Sequence, residues 1–443
     1  MGRLFGTDGI RGVANDDVTP VLALALGRAV GGLLAGKGTS VVLGQDTRRS
    51  GDMLVAGLGA GLASMGSEVV ELGVVTTPCL AYATAVDGHA AGIMVSASHN
   101  PADDNGLKVI VGGRKVDDET EAQLERLIAG SDGLGGPSND GLGWIRADAG
   151  PMTGYRRHLT EATDDAFAGL HIGLDCANGS ASAIAPDLFR SLGAEVTVLF
   201  ASPDGSNINR DCGSTYPQRL AETVPAAGLD LGFAFDGDAD RLIAVDERGG
   251  LVDGDALMGV CALQRLHEGT LRNNLLVATV MSNGGLERAL QDAGGRLIRT
   301  PVGDRNVFEA MERHDVVLGG EQSGHIIFRE RSMTGDGLLS AIELVRTLRA
   351  SGASSLSELA SRIPRLPQVL IDSAVRRKDA WEDDAEFLAT VKRAQERLGE
   401  RGRVLVRASG TEPKIRIMVE GDELNEIDEI ARALARLAEL RLS

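Results

Sequence analysis

Three short stretches of this chain are variants of one pattern: Gly66-Ser67-Glu68-Val69-Val70, Gly193-Ala194-Glu195-Val196-Thr197 and, more loosely, Gly294-Gly295-Arg296-Leu297-Ile298. Each follows a helical segment and, before it, a strand that ends in a polar turn: Gly44-Gln45-Asp46, Asp175-Cys176-Ala177-Asn178-Gly179 and Met281-Ser282-Asn283-Gly284. Each also precedes a short buried strand that breaks into an unusual loop, at Ser96 to Asn100, Asp236 to Asp240 and Glu321 to His325. Strand and helix patterns alternating in this way build a mainly parallel α/β sheet. A period on the order of a hundred residues is too long for a solenoid. The recurrence therefore predicts three related α/β domains, each presenting one loop at the carboxyl edge of its sheet, where open α/β sheets bind ligands.

The first repeat opens with Gly6 to Gly12, read as a small-residue turn that places Arg11 between two glycines. Pro20 to Ala35 reads as a helix and Ser40 to Gly44 as a buried strand. Gln45 to Ser50, with hydroxyls and arginines where the next helix begins, suits an anion. Met53 to Met65 reads as a helix of small residues and Glu68 to Leu72 as a strand. Glycine- and proline-marked breaks at Gly130 to Gly150, Gly249 to Gly254 and Pro364 to Pro367 place domains at 1–152, 153–252, 253–365 and 366–443. The last is a smaller α+β unit. Its pattern predicts strands at Gln368 to Ile371, Val404 to Val406 and Lys414 to Val419, with helices over Ala380 to Leu398 and Glu423 to Leu442.

Four loops carry candidate chemistry. Ser96-Ala97-Ser98-His99-Asn100-Pro101 exposes two hydroxyls and an imidazole at a strand end, and Pro101 blocks a return to regular structure. Either serine there is placed to carry a covalent group, although a plain turn with a capping serine reads equally well. A polar turn from Asp103 follows and ends on Lys108. In Asp236-Gly237-Asp238-Ala239-Asp240-Arg241, alternating carboxylates repel unless a cation lies between them, and oxygen ligands without His or Cys point to magnesium or manganese. A plain acidic turn and a glycosyltransferase-type acidic motif are the alternatives, the latter leaving the serine loop unexplained. An EF-hand is disfavoured because Arg241 stands where that loop needs glycine and an apolar strand leads in, although Glu247 falls at its last ligand position. Gly320-Glu321-Gln322-Ser323-Gly324-His325 offers partners for vicinal hydroxyls, with His325 either a proton carrier or a structural histidine. Arg407 to Lys414 combines cations, hydroxyls and a glycine backbone as an anion cradle.

Charge limits the partners. With 63 acidic and 45 basic residues the net charge is -18, which argues against nucleic acid or an anionic membrane, and aromatics at 3% leave few base-stacking platforms. Cys79, Cys176, Cys212 and Cys261 are isolated, against a thiolate zinc site or a disulfide framework and in keeping with a reducing cytoplasm. The N-terminus lacks the apolar core of a signal peptide, and Val21 to Ala35, interrupted by Arg28, is too short to span a bilayer. A serine nucleophile, a divalent cation, a hydroxyl-binding loop and a phosphate cradle together describe phosphoryl transfer on a phosphosugar.

Phe5-Gly6-Thr7-Asp8-Gly9-Ile10-Arg11-Gly12, Ser96 to Pro101, Asp236 to Arg241, Gly320 to His325 and Arg407 to Pro413 also stand in the order and spacing of a known family. Over essentially its whole length the chain resembles the α-D-phosphohexomutase superfamily. The resemblance implies four domains around a central cleft, three of α/β/α type with mixed, mainly parallel sheets. It implies that Ser98 rather than Ser96 is phosphorylated, and that one Mg²⁺ is held by Asp236, Asp238, Asp240 and the Ser98 phosphate. Arg11, Lys108, Arg241 and His325, with His99 beside the nucleophile, match the reaction centre, Lys108 or His325 being the general acid/base. Gly320, Glu321 and Ser323 correspond to the sugar loop. Arg407, Ser409, Gly410 and Thr411, with Arg416, correspond to the phosphate site. The implied reaction interconverts glucosamine 6-phosphate and glucosamine 1-phosphate through a glucosamine 1,6-bisphosphate, supplying amino-sugar precursors for peptidoglycan in the cytoplasm. Gln322 in the sugar loop favours the amino-sugar branch. A phosphomannomutase or phosphoglucomutase of the same fold is the alternative, and a sugar-phosphate-binding protein without turnover a more distant one. The partner is then a small hexosamine phosphate, with a homodimer left open.

Overall fold

In the first repeat the β-branched runs become inner strands and the small-residue runs become helices. The structure is a computed structural model that describes residues 4–6, 8–130, 133–161, 163, 165–408 and 413–442. The first repeat comprises β1 (Ile10–Val13), α1 (Pro20–Leu33), β2 (Ser40–Gln45), α2 (Gly51–Ser64), β3 (Glu68–Val74), α3 (Thr77–Val86), β4 (Ala91–Val95), β5 (Asp104–Val111), β6 (Arg114–Lys115), α4 (Asp118–Ala129), β7 (Ile145–Ala147) and α5 (Gly150–Thr160). Thr19 starts α1 by accepting the Leu22 amide at 3.2 Å, and Pro20 sits in the first turn, where its missing N–H costs nothing. α1 and α2 touch closely. A Cβ on Gly61 would lie 2.3 Å from the Leu24 carbonyl oxygen, and one on Gly27 would lie 2.4 Å from that of Leu58. Glycine at both positions lets Leu26, Val30, Leu54, Leu58 and Leu62 close over the sheet.

The second repeat contains β8 (His171–Asp175), α6 (Ala185–Ser191), β9 (Glu195–Leu199), α7 (Gln218–Ala226), β10 (Leu231–Phe235), β11 (Leu242–Asp246) and β12 (Leu251–Val252). The third contains α8 (Gly254–His267), β13 (Leu275–Thr279), α9 (Gly284–Asp292), β14 (Arg296–Thr300), α10 (Asp304–Arg313), β15 (Leu318–Gly320), β16 (Ile326–Phe328), α11 (Gly337–Ala350) and α12 (Leu356–Ala360). The three sheets share one order: β3-β2-β4-β5, β9-β8-β10-β11 and β14-β13-β15-β16. In each, the third strand runs parallel to the second and antiparallel to the fourth. All three distinctive loops thus occupy one topological place, the connection from the last parallel strand to an antiparallel one. The expected three related α/β domains with mixed sheets are what the chain forms, parallel pairs at the centre and antiparallel pairs from the fourth strand outward.

Two local readings differ. Ile10–Val13, expected in a turn, is an edge strand paired antiparallel with Asp104–Leu107. The polar stretch before Lys108, also expected in a turn, is the start of β5, so Lys108 lies inside a strand with its side chain buried. Each segment obtains its backbone partners from the other, nearly a hundred positions away, and local composition carries no sign of that pairing.

The described residues form two compact units, one running to Thr279 and over Leu297–Arg362, the other built from Val280–Arg296 and the chain from Ile363 onward. The second unit holds the antiparallel sheet β17 (Gln368–Ala374), β19 (Lys414–Gly421) and β18 (Gly402–Ala408), with α13 (Ala385–Leu398) and α14 (Leu424–Leu442). Ile415, Ile417 and Val419 pack with Phe387, Ile427, Ile430 and Leu434 as its core. α9 belongs to this unit although its sequence lies in the third repeat. Asn283 caps it and exchanges hydrogen bonds with Leu366, at 3.0 and 2.9 Å. Glu420 accepts the Gly284 amide at 2.9 Å, and Arg403 donates to the Val280 and Ser282 carbonyls at 2.8 and 2.6 Å. Among the described residues no helix is long and apolar enough to cross a membrane.

Candidate active site

Ser98 lies on the β4–β5 connection with φ +51°, a left-handed backbone that costs a non-glycine residue roughly 1–2 kcal/mol. The two serines of this loop are not equivalent. Ser96 Oγ donates to Asp46 Oδ2 at 2.6 Å and accepts the Ser98 amide at 2.9 Å, so Ser96 is part of the loop's frame. Ser98 Oγ instead donates to Asp236 Oδ2 at 2.5 Å, with His99 Nδ1 at 3.3 Å. Burial, reinforced by Arg241 and Arg11, lowers the His99 pKa to about 4, leaving it a neutral neighbour of the hydroxyl. Arg48, in the junction read as suited to an anion, is fully buried, and its donors go to the chain itself. It donates to the carbonyls of Ser98 (3.1 Å), Asn100 (2.8 Å), Asp104 (2.9 Å) and Pro101, while Asp46 holds its Nε at 3.0 Å. The inward-facing carbonyls of the serine loop take up its donors.

Asp236, Asp238 and Asp240 follow β10, all buried, with one oxygen from each within 4.8 Å of the others. Such crowding separates their protonation. Burial and the two neighbouring carboxylates hold Asp236 well above the usual range. Burial and Asp240 work against Asp238 too, but Lys108 and Thr77 keep it below its ordinary value. For Asp240, burial is outweighed by His325, Lys108 and Arg241, which hold it well below. Asp238 Oδ1 and Asp240 Oδ1 are buried with no hydrogen-bond partner among the described residues. An oxygen-only set with unmatched buried oxygens fits a hard divalent cation such as Mg²⁺.

Cations and hydroxyls from the other two repeats close around the triad. Lys108 Nζ lies 2.7 Å from Asp238 Oδ2, 3.9 Å from Asp240 and 3.7 Å from Asp8. Thr77 donates its hydroxyl to Asp238 Oδ2 at 2.5 Å and its amide to the Asp238 carbonyl at 3.0 Å. Arg11 donates to Ala97 O at 3.1 Å and pairs with Asp8. Arg241 approaches Asp240 at 3.7 Å, and its amide donates to Asp236 at 3.3 Å. His325 Nδ1 is 3.5 Å from Asp240, and the Gly335 amide donates to its Nε2 at 3.0 Å. Asp240 and Asp304 pull the imidazole pKa up against burial, whereas the Gly335 N–H requires a bare Nε2. The hydrogen-bond geometry decides for the tautomer with its proton on Nδ1, facing Asp240. In the sugar loop, Glu321 accepts the Gly303 amide at 3.0 Å and Ser323 is exposed. A Cβ on Gly320 would lie 2.4 Å from the His325 carbonyl oxygen, so this loop needs glycine there.

The C-terminal candidates are divided. Ser409, Gly410 and Thr411 lie outside the described residues. Arg407 and Arg416 are direct cross-strand partners on β18 and β19, and Asp372 lies 3.5 Å from Arg416 Nε and 2.7 Å from Lys414 Nζ. Several groups now in the site escaped sequence reading. Asp304 and Asp8 both pair with Lys115, and Asn209 reaches the serine loop from the second repeat.

Three sheets of one order, whose corresponding loops carry a serine, a carboxylate triad and the Glu321–His325 segment, define the α-D-phosphohexomutase fold. Descriptions of phosphoglucomutase/phosphomannomutase α/β/α domains I, II and III match residues 2–133, 153–250 and 253–366, and that of the C-terminal domain matches 370–437. Phosphoglucosamine mutase of Moorella thermoacetica is 49% identical over 442 residues, covering 99% of both chains. That of Symbiobacterium thermophilum is 50% identical over 448 residues, covering 100% of both. Among solved structures, a phosphoglucomutase/phosphomannomutase family protein of Burkholderia thailandensis superimposes with TM-score 0.85 at 26% identity, covering 100% of this chain and 98% of its own. Aspergillus fumigatus N-acetylphosphoglucosamine mutase, solved with GlcNAc-6P and magnesium, shares the fold at TM-score 0.71 and 19% identity, covering 99% of this chain and 96% of its own. The chain belongs to the phosphoglucomutase/phosphomannomutase family, on its phosphoglucosamine mutase branch.

Proposed function

We propose that this chain is an isomerase that interconverts glucosamine 6-phosphate and glucosamine 1-phosphate through phosphorylated Ser98 and a glucosamine 1,6-bisphosphate. The observation that carries the reading is the 2.5 Å approach of Ser98 Oγ to Asp236, one member of the buried triad. Relatives of 49% and 50% identity over the full length, named phosphoglucosamine mutase, support the choice of sugar. In the first half-reaction the phosphorus–Oγ bond of phosphoserine breaks as the C1 hydroxyl oxygen bonds to phosphorus. The sugar hydroxyl gives up its proton and Ser98 Oγ takes one. The bisphosphate turns end for end, and Ser98 recovers the phosphoryl group from C6, leaving the 1-phosphate. Asp236, Asp238 and Asp240 with the phosphoserine would hold Mg²⁺, whose chemistry is to neutralise charge on the transferring phosphoryl group.

Around that centre, His325 is engaged at both ring nitrogens, which supports a positioning role for it. Lys108 has three N–H donors and, among the described residues, one contact within hydrogen-bond distance, to Asp238, which supports it as the proton carrier. Arg11 and Arg241 supply positive charge, and Glu321 with Ser323 suits ring hydroxyls. Arg407 faces Arg416 directly across the ladder. Like charges in that position repel; Asp372 offsets part of this from 3.5 Å, and an anionic phosphate would add to that relief, which supports phosphate anchoring by this unit. The net charge of -18 supports the absence of a nucleic acid partner, and four free, buried cysteines support a cytoplasmic setting.

The test is 1-phosphate formation from glucosamine, glucose and mannose 6-phosphates measured side by side, with the protein's phosphate located by peptide mapping. The C2 ammonium of glucosamine, favoured by an acidic site, contributes about 1.5–3 kcal/mol through a charge-assisted contact, roughly ten- to a hundredfold in kcat/KM. Glucosamine 6-phosphate is expected to lead, then glucose, then mannose with its axial C2 hydroxyl. A higher kcat/KM on glucose or mannose 6-phosphate would overturn the substrate, and phosphate found on Ser96 would overturn the nucleophile.

A further inference from the structure

Asn209, in the segment between β9 and α7, belongs to the second repeat, yet its Nδ2 donates to two carbonyls of the first repeat's serine loop: Ser98 O at 2.8 Å and Asn100 O at 3.0 Å. The same two oxygens receive Arg48 Nη2 at 3.1 and 2.8 Å, so each is gripped from both sides. The fit is close. A Cβ on Gly237, inside the acidic loop, would lie 2.5 Å from Ser98 O and 3.0 Å from Asn209 Nδ2. The glycine between two triad carboxylates therefore lets the acidic loop cover this pair of hydrogen bonds. Asn209 is itself held in the left-handed backbone, φ +58°, which asparagine tolerates better than most residues. Its Oδ1 is buried with no hydrogen-bond partner among the described residues. Reversing the amide would set that oxygen against two carbonyls, so the orientation is determined. The two N–H bonds, with those of Arg48, fix the carbonyl side of Ser98, while Ser96 holds its amide.

We infer that Asn209 is a positioning residue for phosphoryl transfer, holding Ser98 in its left-handed conformation so that Oγ faces the triad. The inference rests on Ser98 being the phosphate carrier and adds a part of the machinery supplied by the neighbouring domain. Misplacing a reacting atom by about an ångström costs roughly a hundredfold in rate, and the two carbonyls are already occupied by donors of Arg48 and Asn209. Asn209→Asp keeps size and backbone tolerance but replaces the donor with a carboxylate that the two carbonyls repel. It is expected to lower kcat about ten- to a hundredfold while KM for the sugar phosphate changes by no more than about twofold. Single-turnover transfer from a hexose 1,6-bisphosphate to Ser98 is expected to slow by the same factor. Asn207→Asp, in the same segment but bonded to Ser202 and Asp204, is expected to keep wild-type rates, and a matching Tm shows that the fold is intact. Where Asn209→Asp lowers Tm substantially, Asn209→Ser, which also lacks the amide, gives the same kcat and single-turnover comparison. Wild-type kcat and transfer rate in a folded Asn209 variant would overturn this inference alone. A wild-type protein that never phosphorylates Ser98 would overturn the reading of the active site beneath it.

Discussion

Replacing Asp238 by asparagine separates two roles that one carboxylate has in the triad, structural ion pair and metal ligand. At the 4.8 Å limit of the cluster and an effective dielectric constant of about 20, each pair of charged carboxylates repels by about 3.5 kcal/mol. Lys108, 2.7 Å from Asp238, attracts it by about 6 kcal/mol on the same scale. The amide loses that attraction. It also relieves about 3.5 to 7 kcal/mol of repulsion, the lower figure applying when Asp236 carries a proton, and several kcal/mol of desolvation are no longer imposed on a buried charge. Lys108 keeps Asp240 and Asp8 at 3.9 and 3.7 Å, and the amide oxygen can still accept from Thr77. Loss and relief are of similar size, so the metal-free variant is expected to stay folded with Tm within a few degrees of wild type. Metal binding has no such offset, since one of three charged ligands disappears. Mg²⁺ affinity and turnover are expected to fall by at least about a hundredfold. Thermal unfolding in chelator and in excess Mg²⁺, with Mg²⁺ titration calorimetry and the mutase assay, reads both halves. A variant that unfolds in chelator, or one that keeps the wild-type Tm rise on adding Mg²⁺, would refute the reasoning.

Ser98→Ala is expected to fold normally and lose nearly all mutase activity, because no other route to the bisphosphate remains; initial rates and intact mass check this. Ser96→Ala removes the acceptor of the Ser98 amide, so its kcat should drop about tenfold or less with phosphate still mapping to Ser98. Arg407→Gln is expected to weaken binding of both 1- and 6-phosphosugars by calorimetry, and loss for one isomer only would contradict a shared anchor. Asp336, the N-cap of α11, has its pKa raised to about 6 chiefly by burial, against the Leu339 amide and the Tyr155 hydroxyl. Its folded pKa exceeds its unfolded one, near 3.9. The stability it contributes is therefore complete below about pH 4 and lost as pH rises through about 6, roughly 3 kcal/mol in all. Asp336→Asn should remove that slope, so Tm of the variant relative to wild type should rise between pH 4.5 and 7.5; a constant difference would exclude it.

The fold was legible because its threefold repeat writes the same strand, helix and turn signals at corresponding places, and the sheets that form have one order. The triad was legible for a different reason: alternating carboxylates on a tight turn are hard to explain without a cation. What stayed hidden depends on distant partners. The junction that holds Arg48 looks suited to an anion until the carbonyls of Ser98, Asn100, Pro101 and Asp104 are seen to use its donors. Ile10–Val13 looks like a turn until β5 lies beside it. Lys115, Asp304 and Asn209 are ordinary polar residues in unremarkable local sequence, and only the approach of separate domains gives them partners. Local sequence treats Ser96 and Ser98 alike; the family resemblance selects Ser98, and the hydrogen bonds give the two different partners, Asp46 and Asp236.

The placement of α9 bears on how such a chain can be recombined. Chain order suggests that the C-terminal module begins near Pro364 and could be exchanged between relatives at one junction. The module is in fact discontinuous: Val280–Arg296 lies inside it, and a Cβ on Gly285 would collide with the Pro364 carbonyl 1.7 Å away. A graft made at a single junction would bring a foreign Leu366, Arg403 and Glu420 to a resident Asn283 and Gly284. The heritable block is therefore two segments whose contacts must change together. Substitutions in one are expected to be tolerated or rejected according to the other, across the intervening Leu297–Arg362, which belongs to a different body.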